Sequence, residues 1–242
     1  MASISQLTEE EKNFTRFFLL NFKVSPDIVR RFFDTVFPPK HLSQCINNSM
    51  NAIIKLNKAR RINAAQLEIL RGVPGTIWPP CLSPMPVGKK ATSSKDFDLA
   101  MMICLLRYLG GLLTPCNGWD QLPHPNDTLP GADLSTLMWY RNQLTRTTLA
   151  SMDNNEFIDK WNQVDKALAS LNNGQRPHEV CEILNYDIDG KQAKTLAKKK
   201  LKQLTSDYLD CEKEKNQIDN DFSYYRQGNI PKPIAGLIQF QQ

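Results

Sequence analysis

Ser94-Lys95-Asp96-Phe97-Asp98-Leu99-Ala100-Met101-Met102-Ile103-Cys104-Leu105-Leu106-Arg107-Tyr108-Leu109-Gly110-Gly111 is the stretch that decides the fold. Its body is apolar on nearly every side of a 3.6-residue helix, a pattern that requires cover from neighbouring elements all round. Ser94 reads as the N-cap and Gly110-Gly111 as the stop. The apolar run 97–109 contains Asp98 and Arg107 and is too short to span a bilayer. It is therefore the buried central helix of an all-α protein.

Toward the N-terminus, Thr8 and Glu11 form a capping box opening a helix that carries Phe14, Phe17, Phe18 and Phe22. Ser25-Pro26 opens a second helix, with Phe32, Phe33, Val36 and Phe37 as core, and Pro38-Pro39 ends it. A third is expected over 41–60, with Cys45, Ile46, Met50, Ile53 and Leu56 on one side, and a short fourth over 63–71. The proline-rich stretch 72–90 is a loop.

Toward the C-terminus, a proline-rich connection over 112–130 contains Gly118-Trp119-Asp120. Connections of that length are packed or functional more often than idle. A helix follows over 133–149, then a second capping-box pattern, Asp153 with Glu156, opens a helix bearing Phe157, Trp161, Val164, Leu168 and Leu171. After Asn173-Gly174, a short helix starts at Pro177. From 191 to about 225 the spacing tightens to a heptad through Ala197, Leu201, Leu204, Tyr208, Cys211, Ile218, Phe222 and Tyr225, broken by Lys215. Such a seam can close the bundle in cis or pair with another chain. The organisation read from this is a helical bundle over 1–174, C-terminal helices over 175–226 that pack on it or mediate oligomerisation, and a linker or tail over 227–242.

Composition narrows function by exclusion. The net charge of +5 is too mild to imply nucleic-acid binding without local concentration of charge. The polar, acidic start has no signal-peptide pattern, so a cytoplasmic address is expected, with no membrane partner. The six cysteines include no C-x-x-C pair and the three histidines no ligand spacing, so no metal and no cofactor are expected. Phosphate-binding loops, dinucleotide fingerprints, zincin motifs and nucleophile elbows are absent.

Two features could touch a partner. In the helix over 133–149, Arg141 falls on the stripe of Leu134, Leu137, Met138, Leu144 and Thr148. It is read either as a snorkelling or ion-paired guanidinium, or as a groove or dimer-seam residue that meets phosphate. Lys194, Lys198, Lys199, Lys200 and Lys202 form a basic turn, read as the wet face of the last helix or as a contact surface for RNA or an acidic partner.

The motif order Ser94 to Asp98 entering an apolar helix, then Gly118-Trp119-Asp120, Tyr140-Arg141-Asn142 and Phe157 to Trp161, resembles the HEPN-like domain found in the DAZ-interacting zinc-finger ubiquitin ligase and in related invertebrate immune-type proteins. The resemblance covers residues 28–173. It implies an antiparallel helical bundle, often dimeric, set beside signalling or ubiquitin-transfer modules, and hence a homodimer with an RNA or protein partner. Ribonucleases of the HEPN class are metal-independent and use an arginine followed by four to six residues and a histidine. Arg141 and Asn142 match the first part, but Arg146, Thr147 and Thr148 fill the histidine window. Threonine cannot move protons near neutral pH as imidazole does, and that group is worth about 100- to 10,000-fold in rate. No catalytic residue is therefore assigned: the resemblance implies a degenerate motif of Arg141, Asn142 and Thr147. The rival readings are a ribonuclease with a displaced histidine, His124 or His178, and a helical oligomerisation adaptor.

Overall fold

A computed structural model describes residues 7–79 and 91–186. The chain divides into two units, Met1–Ala193 and Lys194–Gln242. The heptad segment and the lysine turn at 194–202 lie outside the described residues. Those that are described form helices and their connections, with no strand among them, and no helix is long and apolar enough to cross a membrane.

Helix α1 (Glu9–Leu19) starts at the capping box foreseen in the sequence: Thr8 Oγ1 accepts from the Glu11 N–H at 3.2 Å, and Glu11 accepts from the Thr8 N–H at 2.8 Å. The expected break at Ser25-Pro26 is absent. A π-helical turn (Leu20–Val24) runs straight into α2 (Ser25–Val36). Ser25 is not an N-cap, because both its N–H and its hydroxyl point back to the Leu20 carbonyl. The widened turn accommodates Pro26, which has no N–H to give and whose ring crowds a carbonyl in regular α geometry. The run over 41–60 is also broken, into α3 (Leu42–Asn48) and α4 (Met50–Lys58), at Ser49 with φ −103° and ψ 9°. Asn47, Asn48 and Ser49 are weak helix formers whose side chains compete for backbone groups. Helix α5 (Ala64–Arg71) follows, boxed by Asn63 and Gln66.

The central helix α6 (Leu99–Leu109) begins later than Ser94 suggests. Residues 94–96 make a single 3-10 turn and Phe97 is extended, so Asp98 is the cap, accepting from the Met101 N–H at 2.7 Å. Gln66 donates to the same carboxylate at 3.0 Å, and Arg30 of α2 donates to the Phe97 carbonyl, so α5 and α2 fix where α6 starts. Met101, Met102 and Leu106 are inaccessible to solvent, as a central helix requires. Tyr108 lies 40% exposed, so the last turn of α6 leaves the core. Gly110 is its C-cap, where a Cβ would stand 2.6 Å from the Leu106 carbonyl oxygen and only glycine fits without a shift.

Helices α7 (Pro130–Arg146), α8 (Asn154–Leu171) and α9 (His178–Leu184) complete the first unit. Helix α7 packs along α8, α2 along α6, and α1 and α2 against α8. Edge-on contacts of Phe17 with Tyr140 at 5.6 Å and Phe33 with Phe97 at 5.7 Å lock α1 to α7 and α2 to the entry of α6.

Candidate functional site

Between α6 and α7 lies an open groove of about 370 Å³, roofed at one side by the connection over 112–130. Helix α7 supplies Ser135, Met138, Trp139, Asn142 and Arg146, which share one face because they are spaced by threes and fours. Helix α6 supplies Cys104, Arg107 and Tyr108 by the same periodicity, and Arg61 enters from the turn after α4.

The connection is packed, not loose. Asp127 accepts from the N–H groups of Cys116 at 2.8 Å and Leu129 at 3.1 Å, and Lys166 of α8 donates to the Pro125 carbonyl at 2.8 Å. Trp119 lies half-buried over the first turn of α7. Gly131 makes room for it, since a Cβ at that position would meet the Leu113 carbonyl at 2.6 Å and the Trp119 ring at 3.2 Å. Asp120 then receives two hydrogen bonds from Arg107, at 2.8 and 3.2 Å, whose guanidinium sits 4.9 Å from the Tyr108 ring centre and 5.7 Å from that of Trp119. The Arg107 hydrogen bond holds the Asp120 carboxyl below its usual range.

Three arginines against one aspartate make the groove positive. Arg107 is committed to Asp120, while Arg61 and Arg146 form no ion pair among the described residues. Burial pushes the Cys104 thiol up to about 11, against the opposing pull of Arg107 and Arg61, so it stays protonated and is no nucleophile at neutral pH. Described cysteines 45, 104, 116 and 181 are unpaired thiols, and no cluster suited to a metal occurs among the described residues.

The degenerate motif is not gathered into one site. Asn142 lines the groove. Arg141, one residue and about 100° round the helix, lies half-buried with its guanidinium carbon 6.0 Å from the centre of the Phe22 ring. The buried stripe runs through Leu134, Leu137, Tyr140 and Leu144 instead. The helix ends at Arg146, not at Leu149. Thr147 is the extended C-cap and lines a separate small hollow with Phe14, Phe17 and Lys160, while Thr148 is exposed beyond the helix. His124 lines another hollow with Asp133 and Lys166, accepting from the Asn126 N–H. His178 sits exposed on α9, near Glu179 and Glu182.

Arg61, Arg107, Trp119, Asp120, Trp139 and Arg146 were not singled out together by sequence reasoning. The α7 share was signalled by the 135, 138, 139, 142, 146 spacing, whereas Arg61 and Asp120 reach the groove only through tertiary packing.

Compared with known proteins, the chain is 26% identical over 164 residues to the E3 ubiquitin-protein ligase DZIP3 of Homo sapiens and 27% identical to that of Mus musculus. Each alignment covers 67% of this chain but 12% of the relative, so the chain corresponds to a small part of those proteins. No solved structure matches the chain significantly. The family model described as DZIP3/hRUL138-like HEPN matches residues 39–196, which takes in α3 to α9 and every wall of the groove. The chain belongs to the DZIP3/hRUL138-like HEPN family.

Proposed function

We propose that this chain is a non-catalytic HEPN-type interaction module that self-associates and holds a macromolecular partner in the α6–α7 groove, in the service of ubiquitin- or innate-immune-type signalling. One observation carries the reading. The groove that contains Asn142 and the histidine-window residue Arg146 is lined by arginines, aromatics and a protonated thiol, with no imidazole in its lining. Such a surface can bind anions and orient them, and it has no group suited to proton transfer near neutral pH. The heptad spacing over 191–225 supports self-association.

Incubation of the purified full chain with single-stranded and hairpin RNA in a chelator tests the catalytic half. Intact RNA is expected; cleavage that Arg141→Ala abolishes would overturn it. Light scattering tests the other half, with a dimer mass expected and a monomer throughout the micromolar range rejecting self-association.

A further inference from the structure

The groove carries more information than its charge. Arg107 already binds a carboxylate, that of Asp120, in a two-pronged contact, and Trp119 lies directly before that aspartate. The chain thus presents an aromatic-acidic pair to its own groove. Beyond it, Arg61 and Arg146 remain without an ion pair among the described residues, and Asn142 brings an amide that can both donate to and accept from a peptide backbone.

We infer that the groove is a docking site for an acidic segment of a partner protein, whose carboxylates engage Arg61 and Arg146 while its backbone passes Asn142. The inference rests on the interaction-module reading above. Charge complementarity selects an anionic occupant, and two details favour carboxylates on a peptide. Asp120 shows that a groove guanidinium already engages a carboxylate in a two-pronged contact. The lining offers arginines and no lysine, and the arginine fork matches the two oxygens of a carboxylate.

The test uses the full chain and two fluorescent probes in separate titrations: a twelve-residue Gly-Ser peptide bearing four glutamates and one tryptophan, with its all-glutamine counterpart, and a twelve-nucleotide single-stranded RNA. The glutamate peptide is expected to bind and the glutamine peptide to bind at least 10-fold more weakly. Arg61→Gln and Arg146→Gln should each weaken the glutamate peptide by roughly 10-fold, in line with loss of one charged hydrogen bond. Asp120→Asn should strengthen it, by removing the internal competitor for Arg107. Thermal melts confirm that the variants stay folded, as both arginines are exposed. RNA binding lost in the two arginine variants, with no peptide binding, overturns the acidic-peptide inference while leaving an interaction groove standing. Peptide binding that neither variant weakens overturns the location. If neither probe binds below millimolar concentration, the inference and the groove reading fall together.

Discussion

The Arg107 guanidinium lies across the Asp120 carboxylate in a two-pronged contact that ties the long 112–130 connection to the last turn of α6. Both partners keep contact with water, Asp120 most of all, so the pair orders the connection more than it stabilises the fold. A double-mutant cycle with Arg107→Ala and Asp120→Ala should return a coupling no larger than about 1 kcal/mol. Because the hydrogen bond from Arg107 lowers the Asp120 pKa below 3.8, the contribution is present above that value and is lost as pH falls through the lowered one. The stability difference between the protein and Asp120→Asn should therefore shrink as the solution is acidified below pH 3.8, which denaturant melts at pH 7 and pH 2.5 would check.

Leu106 has no exposed surface and lies in the middle of α6. Leu106→Ala should cost about 2 to 5 kcal/mol by urea melting, the range for a large aliphatic side chain removed from a close-packed core. A loss under about 1 kcal/mol would mean that α6 is not the centre of the bundle.

Asp133 is 8% exposed on α7, and burial raises its carboxyl to about 6, against the opposing pull of the Ser170 hydroxyl and Lys166; Asp127 pushes it further up. One of its oxygens, Oδ2, has no hydrogen-bond partner among the described residues. The sign follows from a folded pKa above the ordinary 3.8: the folded state holds the proton more tightly. The contribution of Asp133 to stability is thus greatest below about pH 4 and is lost as pH rises through 6, by up to about 3 kcal/mol for a shift of that size. Asp133→Asn should remove this dependence and be the more stable protein at pH 7.5. Equal pH profiles for the two would count against the buried carboxylate.

Gly131→Ala would set a methyl group against Trp119 and the Leu113 carbonyl. Overpacking of this kind costs about 1 to 3 kcal/mol. The closer clash is with the Leu113 backbone at 2.6 Å, so relief requires the connection that carries Leu113 and Trp119 to move off α7, and in a variant with Trp119 as the sole tryptophan the emission should shift to the red, together with a lower melting temperature. An unchanged spectrum would place Trp119 elsewhere.

Much of the helical order was legible, and the reasons are local. Thr8 with Glu11 and Asp153 before α8 are caps whose whole mechanism lies within four residues. The burial of α6 follows from an apolar surface no other arrangement could cover. The misreadings share a cause as well. Ser25-Pro26 has the composition of a helix start, yet the aromatic residues before it pull the chain onward into the core as one rod, and the backbone answers with a π turn. Ser94 has the composition of a cap, yet Arg30 and Gln66, distant in sequence, move the start to Asp98. In α7 the decisive residue is Tyr140, whose burial against Phe17 turns Arg141 aside toward Phe22 and Asn142 into the groove. A motif of adjacent letters could not foretell that its members face different ways. The groove itself needed four separate stretches of chain to meet, and of these only the α6 and α7 shares left a periodic trace.

The turn at Leu20–Val24 also fixes a length, not merely a shape. At 3.6 residues per turn, each residue advances a helix by about 100°. The extra residue accommodated there sets the phase between the phenylalanines of α1 and those of α2, so both sets reach the interior of one continuous rod. Deleting a single residue from this stretch, such as exposed Lys23, would let the rod close to regular α geometry with both sets still facing inward, and the cost would fall on Pro26, whose ring would then meet the carbonyl four residues before it. The widened turn is the room in which a proline can sit inside an unbroken rod.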